Sequence, residues 1–165
     1  MPMSPYLRSL RERAGPGRLV LPSVTALIFD EQGAMLLVRQ RDGDVWSTPG
    51  GTIEPDESPA DAVVREAWEE TGLRVEPRRV LGVYGGPEFV VRYPNGDEAQ
   101  YVMIVFDCAA RGGERRPDGD ETTAVAYFTA EESAALPLTS WLRGVLDTFY
   151  RRPSGHFEPP RYRPQ

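Results

Sequence analysis

Lysine is absent from this chain, and all 19 basic residues are arginine. A lysine nucleophile, a Schiff base and a P-loop lysine are therefore excluded. The chain has one cysteine, Cys108, so it cannot form an internal disulfide, and a cysteine-based zinc site is not expected. The neighbours of Cys108 are typical of a strand interior, which predicts a buried structural thiol. A single histidine, His156, leaves Ser–His and Cys–His nucleophile pairs without support.

Long apolar runs are also missing, since no stretch reaches 18 residues and none follows the N-terminal arginines. We therefore expect neither a membrane span nor a signal peptide, and a cytoplasmic, reduced protein. With 25 acidic and 19 basic residues the net charge is −6, which argues against an extended nucleic acid as a partner. The length of 165 residues and the 40% hydrophobic content are ordinary for one globular domain.

The order of predicted elements indicates an α/β domain with a mixed sheet. A β-hairpin is predicted from two apolar runs, 24–29 and 35–38, around the turn Asp30–Gly33. Asn95–Gly96 predicts a type I′ hairpin turn later in the chain. Further strands are predicted at 80–84, 89–93, 101–109 and 123–128, and a last helix at 141–150.

Three segments follow from this pattern. Residues 1–19 form an N-terminal segment with a short helix, and residues 20–152 form the domain. Residues 153–165 are rich in proline and have no periodicity, so we expect a loosely ordered tail.

The best-delimited predicted element is a helix that follows Ser58. Ser58 is a suitable N-cap, Pro59 suits the first helical position, and Asp61 lies where a capping box places its acid. Gly72 is typical of the left-handed residue that ends a helix. The helix is therefore expected to run to about Thr71.

Three glutamates of this helix, Glu66, Glu69 and Glu70, share one stripe because their spacing is i, i+3 and i+4. The opposite side is predicted to face the core; it carries Ala60, Val64, Ala67, Trp68 and Thr71. Like charges on one stripe repel each other. The stripe is therefore either solvated surface or a site for a hard divalent cation such as Mg²⁺ or Mn²⁺.

The surrounding spacing favours the second interpretation. Gly51 is followed by five residues and Glu57, then by seven residues and the run Arg65–Leu73, which reads Arg-Glu-Ala-Trp-Glu-Glu-Thr-Gly-Leu. This segment resembles the Nudix box at every fixed position, with Ala67 a small residue for its apolar position. The flanking elements resemble the same family over about residues 20–150.

The resemblance implies a fold and an activity. The fold is an α/β/α sandwich with a mixed sheet, and the activity is metal-assisted hydrolysis of the diphosphate linkage in a nucleoside diphosphate linked to X. Glu66, Glu69 and Glu70 would be metal ligands for Mg²⁺ or Mn²⁺, and the Gly50 carbonyl would add a fourth oxygen. Arg65 would pair with Glu57 and so hold the loop against the helix.

The general base is left open between two positions. Glu66 is the first candidate, and family members also recruit an acid from a later loop. Here Asp118–Glu121 is the natural donor, with Glu121 favoured, although the same residues are also typical of a plain turn. The predicted catalytic set is therefore Arg65, Glu66, Glu69 and Glu121.

Substrate residues lie outside the box. Trp46 and Phe89 are candidates for stacking on a base, although such aromatics are commonly core. Arg39, Arg41 and Arg92 are candidates for phosphate contacts or, equally, solvated surface.

Pro87 follows the box at about the distance where ADP-ribose-type members carry a proline, although a proline beside Gly85–Gly86 is also typical of a plain turn. The preferred interpretation of the substrate is ADP-ribose or a nucleotide sugar. The alternatives are a nucleoside triphosphate pyrophosphohydrolase and a non-catalytic nucleotide-sensing domain. A sensing domain has no need of three glutamates. The sequence leaves homodimerisation open.

Overall fold

The computed structural model describes residues 4–93, 95–152 and 155–157. The helices are α1 (Pro5–Ala14), α2 (Pro59–Thr71), α3 (Ala130–Ala135) and α4 (Ser140–Arg151). The strands are β1 (Leu19–Ile28), β2 (Met35–Gln40), β3 (Trp46–Ser47), β4 (Gly50–Thr52), β5 (Leu73–Tyr84), β6 (Val90–Arg92), β7 (Glu98–Gly113), β8 (Thr122–Phe128) and β9 (His156–Phe157).

The strands form two sheets. The larger has the order β4-β1-β7-β5-β9, with β6 also paired to β7, and the smaller has the order β3-β2-β8. Strand β1 runs parallel to β7 and antiparallel to β4, so the larger sheet is mixed, as predicted.

The predicted hairpin between β1 and β2 is wrong. A single antiparallel bridge joins Phe29 to Met35, and the two strands then enter different sheets. Both runs are apolar without alternation, which is typical of strands covered on both faces rather than of a half-exposed hairpin.

The sheets lie between helices, as an α/β/α sandwich requires. Leu27 of β1 belongs to the core that includes Leu142 of α4, whereas its neighbour Ala26 belongs to the core that includes Val63 of α2. Successive strand residues point to opposite faces. Helices α2 and α4 therefore cover opposite sides of the sheets, and the predicted fold class is confirmed.

Helix α2 has its predicted bounds. The Ser58 hydroxyl accepts a hydrogen bond from the Asp61 amide at 3.1 Å, and Gly72 ends the helix at φ +69°. Cys108 is buried against this helix layer, and burial raises the pKa of its thiol to about 12. The prediction of a buried structural thiol is confirmed.

The predicted core face of α2 is partly wrong. Val64 and Trp68 are 36% and 44% exposed, and Ala60 is also exposed. The residues that are buried are Ala62, Val63, Glu66, Ala67, Glu70 and Thr71. The helix therefore turns small residues toward the sheet, and this rotation carries two of the three glutamates inward with them.

The hairpin between β6 and β7 is present, with Val90 opposite Gln100 and Arg92 opposite Glu98. Its turn differs from the predicted one, because the Gly96 amide donates to the Tyr93 carbonyl at 2.9 Å. Asn95–Gly96 is therefore not the central pair of the turn.

The described part of the proline-rich tail pairs with the larger sheet. Strand β9 runs parallel to β5, and the ring of His156 stacks on that of Tyr84 with centroids 4.8 Å apart. The other tail residues for which loose order is predicted, apart from 155, lie outside the described part of the chain. Among the described helices, none combines the length and apolarity needed to cross a membrane.

Candidate active site

Two acidic segments that are far apart in the sequence meet in one cavity of about 580 Å³, which we call the acidic cleft. Its carboxylates are those of Glu54, Glu66, Glu69, Glu70, Asp118, Asp120 and Glu121. Asp118 fixes the second segment, because its Oδ1 accepts hydrogen bonds from the amides of Asp120, Glu121 and Thr122. The segment 118–121 is therefore a turn, and it also lines the acidic cleft.

The three glutamates of α2 differ in exposure. Glu70 is 3% exposed and Glu66 is 8% exposed, whereas the Glu69 side chain is 53% exposed. Burial raises the pKa of Glu66 to about 7 and raises the pKa of Glu70 well above its usual value. Of the three glutamates on the predicted stripe, only Glu69 is therefore exposed to solvent.

Arg65 ties the loop before α2 to two of these glutamates. Its guanidinium donates to both Glu57 oxygens at 2.8 and 2.9 Å and to the Thr52 carbonyl at 3.0 Å. The same group donates to Glu66 at 2.8 Å and to Glu69 at 3.0 Å. The contact with Glu57 that the resemblance implies is present, and Arg65 holds two box carboxylates in fixed positions.

Glycine is required where β4 approaches α2. A Cβ on Gly51 would lie 2.4 Å from Oε1 of Glu66, and one on Gly50 would lie 2.2 Å from the Val24 carbonyl oxygen. The Gly50 amide donates to Oε2 of Glu70 at 2.9 Å. The absence of a side chain thus lets Gly51 lie against the Glu66 carboxylate and lets Gly50 lie against β1, where its amide reaches Glu70.

The acidic cleft contains the oxygen ligands that a hard cation prefers. Its side chains are not, however, already positioned to coordinate one. Among the described residues, no group of three or more Asp, Glu, His or Cys side chains is placed so that it could hold a metal ion. Arg65 binds Glu66 and Glu69, whereas no arginine of the described chain pairs with Glu70. Buried carboxylates without full compensation of charge suit a divalent cation that prefers oxygen ligands.

A second cavity of about 560 Å³ adjoins the acidic cleft, and we call it the aromatic cavity. The two share Thr52, Glu70, Asp120 and Glu121. Its aromatic lining is Phe89, Tyr93, Tyr101 and Trp141. Both volumes lie within the range of small-molecule sites, roughly 300–1,000 Å³.

Three of the five predicted substrate residues line the aromatic cavity: Arg41, Phe89 and Arg92. Arg41 donates to the carbonyl oxygens of Asp120 and Gly119 at 2.8 and 2.5 Å. Arg92 is paired with Glu98 at 2.6 Å. Both guanidiniums are therefore already engaged by the protein.

The other two, Trp46 and Arg39, are not among the residues that line this cavity. The ring of Trp46 packs edge-on against Phe128, with centroids 4.9 Å apart. Arg39 forms an ion pair with Asp44 at 2.6 Å. The structure thus places both beside the site and turns them to other partners.

Sequence reasoning missed Trp141 as a site residue. The sequence assigns it only to the apolar face of the last helix, and it does pack against Phe89 and Phe149. Its position in the first turn of α4 also brings it to the cavity. No local pattern predicts that α4 begins beside β3.

Comparison with known proteins agrees with this geometry. The sequence model of the family described as "NUDIX domain" matches residues 20–149. A "MutT-like protein" of Streptomyces ambofaciens is 38% identical over 127 residues, which are 77% of this chain and 75% of that protein. A "Putative 8-oxo-dGTP diphosphatase" of Bacillus subtilis (strain 168) is 33% identical over 103 residues, 62% of each chain.

Comparison with solved structures finds similar folds. The crystal structure of an ADP-ribose pyrophosphatase from Streptococcus suis 89-1591 superposes with a TM-score of 0.63 at 31% identity, covering 79% of this chain and 90% of that one. The names of these relatives differ in substrate, and the enzymes among them are all named for cleavage of a diphosphate. With the box, the sandwich and the acidic cleft in place, the chain belongs to the Nudix hydrolase family and is an enzyme of the pyrophosphohydrolase type.

Proposed function

We propose that this enzyme is a divalent-metal-dependent hydrolase that cleaves the diphosphate linkage of a nucleoside diphosphate linked to X, by attack of water on phosphorus. The observation that carries the proposal is the junction of the two cavities, which share Glu70, Asp120 and Glu121. A substrate of this class has a charged diphosphate and a planar base. The junction offers carboxylates for a cation beside the first and aromatic walls for the second.

The proposed metal ligands are Glu66, Glu69, Glu70 and the Gly50 carbonyl, with Mg²⁺ or Mn²⁺ as the ion. When bound, such an ion neutralises the diphosphate and lowers the pKa of water. Arg65 positions Glu66 and Glu69 through its hydrogen bonds to them. The burial of both residues supports the assignment, since it raises the pKa of Glu66 and of Glu70, and Glu70 pairs with no arginine of the described chain.

Two carboxylates are candidates for the general base. Glu66 is the first, and it lies against Gly51 and Arg65. Glu121 is the second, since it is half-buried, lines both cavities and has a pKa that burial raises. If substitution of Glu121 lowers kcat and leaves the affinity for metal unchanged, Glu121 is the base and not a metal ligand.

The proposed substrates are ADP-ribose or nucleotide sugars. Phe89 and Trp141, whose ring centroids are 6.3 Å apart, offer walls for a base, and Pro87 begins the turn that places Phe89 in the cavity. The name of the Streptococcus suis relative agrees with this choice. The second candidate, a nucleoside triphosphate pyrophosphohydrolase, is favoured by the name of the Bacillus subtilis relative.

A substrate panel separates these functions. ADP-ribose, UDP-glucose, dGTP and 8-oxo-dGTP are incubated with the enzyme in Mg²⁺ and, as a control, in excess EDTA. We expect nucleoside monophosphate and a sugar phosphate from the first two substrates, and release that EDTA abolishes. Monophosphate with pyrophosphate from the triphosphates alone would favour the second candidate. Release from none of these substrates would contradict the proposal and favour a nucleotide-sensing role.

A further inference from the structure

The turn that ends in Glu121 is held by hydrogen bonds rather than by packing. Asp118, Gly119 and Asp120 are exposed, and Glu121 is half-buried. A segment with few buried apolar contacts opens at a lower free energy than the core does. The position of the Glu121 carboxylate therefore depends on the groups that bind the backbone of this turn.

Arg41, the residue that follows β2, binds this backbone at three points. Its guanidinium donates to the carbonyl oxygens of Asp120 and Gly119 at 2.8 and 2.5 Å. Its own amide donates to the Glu121 carbonyl at 2.8 Å. A guanidinium holds its N–H donors in a rigid planar fork, so one side chain fixes two successive peptide groups. Arg41 thus fixes the two peptide groups that immediately precede Glu121.

Thr122 ties the other side of Glu121 to α2. It is fully buried, and its hydroxyl lies 3.1 Å from the Glu70 carbonyl oxygen and 3.1 Å from Oδ1 of Asp118. Glu70 lies in the last turn of α2, where carbonyl oxygens have no amide partner within the helix. The turn is therefore joined to β2 through Arg41 and to the helix of the buried glutamates through Thr122.

Arg41 lines the aromatic cavity, so direct contact with a substrate phosphate is the competing role for it. Its hydrogen bonds to two carbonyl oxygens of the turn favour a positioning role. The two roles have different kinetic consequences. Loss of a contact made equally to bound substrate and transition state raises KM, whereas displacement of a base lowers kcat.

We propose that Arg41 is a positioning residue for the reaction, which holds the turn 118–121 so that Glu121 stays at the junction of the acidic cleft and the aromatic cavity. Arg41 itself does not touch the reacting atoms. This inference rests on the proposed function, since it takes Glu121 as the general base and makes Arg41 act through it.

The kinetic test compares Arg41→Gln, Glu121→Gln and the double variant with wild type. Arg79→Gln is the control, because it removes the same charge from an exposed arginine that pairs with Asp107 at 3.1 Å and lines neither cavity. The kcat and KM values are measured in Mg²⁺ with the substrate of the panel that is hydrolysed fastest.

We expect Glu121→Gln to lower kcat about 100-fold or more, the usual contribution of a general base. Arg41→Gln should lower kcat about 10-fold or more and change KM less than about threefold. The double variant should be within about twofold of Glu121→Gln, because Arg41 has no effect once its target is lost. Arg79→Gln should match wild type.

Three results would overturn the proposal. The first is a rise in KM without a fall in kcat for Arg41→Gln, which is expected of a phosphate contact. The second is a double variant in which the two losses multiply, since Arg41 would then act independently of Glu121. The third is wild-type kcat in Glu121→Gln.

Hydrogen exchange without substrate tests the same contact independently of turnover. Peptides that cover residues 117–123 should exchange about 5- to 10-fold faster in Arg41→Gln, the effect of losing hydrogen bonds worth about 1 kcal/mol. Peptides of α2, and all peptides of Arg79→Gln, should exchange as in wild type. Unchanged exchange of the turn in Arg41→Gln would overturn the proposal. Faster exchange in an enzyme that hydrolyses none of the panel would contradict the proposed function alone.

Discussion

The acidic cleft and the aromatic cavity share a boundary and are built in opposite ways. The cleft takes most of its charged groups from one helix and one turn, and Arg65 and Asp118 tie those groups together. The cavity takes its lining from six strands (β1–β4, β6 and β7) and from α2 and α4, and it contains two hydroxyls that pair with no residue of the described chain. A local, internally bonded region suits the chemical step, whereas a region assembled from distant segments suits substrate choice.

The largest expected effect comes from neutralising the cleft. We predict that Glu70→Gln lowers kcat by about 100-fold or more, since even outer-shell changes at metal sites cost about 10- to 100-fold. KM should change less than kcat, because the aromatic walls of the second cavity keep their side chains. Glutamine still accepts from the Gly50 amide, so Tm should not fall. Steady-state kinetics with Glu131→Gln, an exposed residue of α3, provide the control.

A smaller effect is expected where the two regions meet β4. We predict that Gly51→Ala lowers kcat by about 10- to 100-fold, because the new Cβ displaces the Glu66 carboxylate that lies 2.4 Å from its position. Gly144→Ala in α4 is the matched control, since nothing lies within 4 Å of its added Cβ. That control should keep full activity and gain about 0.5–1 kcal/mol of stability. Wild-type kinetics for Gly51→Ala would show that Glu66 is not positioned by this contact.

Substitutions in the aromatic cavity should change KM rather than kcat. We predict that Trp141→Leu raises KM about 5- to 10-fold, since stacking of an aromatic ring on a base contributes about 1 kcal/mol or more. The kcat at saturation should remain within about twofold of wild type, because the cleft is intact. A fall in kcat with no change in KM would contradict the assignment of substrate binding to the aromatic cavity and of the chemical step to the acidic cleft.

The smallest effect is expected outside both regions, at Cys108. Burial raises the pKa of its thiol to about 12, so the thiol stays protonated at pH 8. We predict that the native enzyme reacts with a thiol reagent far more slowly than the denatured chain, and that activity is retained. Absorbance of the released chromophore measures both rates. Fast labelling of the native enzyme would contradict its burial.

The same contrast explains what the sequence alone can predict. The bounds of α2, its caps and the acidic turn at 118–121 depend on contacts a few residues apart, and they were predictable from spacing. The aromatic cavity depends on the pairing of β1 with β7 and on where α4 begins. No local pattern carries that information, so the sequence did not indicate that Trp141 lines the cavity or that Trp46 and Arg39 do not.

Two errors have one physical origin. The separation of β1 from β2 and the rotation of α2 both follow from sheets that are covered on each face. Periodicity identifies an apolar side of a helix, but it does not show which small residues pack closest to the sheet. Ala62 and Val63 pack there, and this places Glu66 and Glu70 in the interior.

The central claim is that the buried glutamates of α2 hold a divalent cation, and direct ion binding tests it without substrate. Mn²⁺ is titrated into wild type, Glu70→Gln and the control Glu131→Gln, and free Mn²⁺ is followed by electron paramagnetic resonance. We predict binding to wild type and to the control, with affinity reduced at least about 10-fold in Glu70→Gln. Equal affinity in all three proteins, or no binding to wild type, would contradict the account.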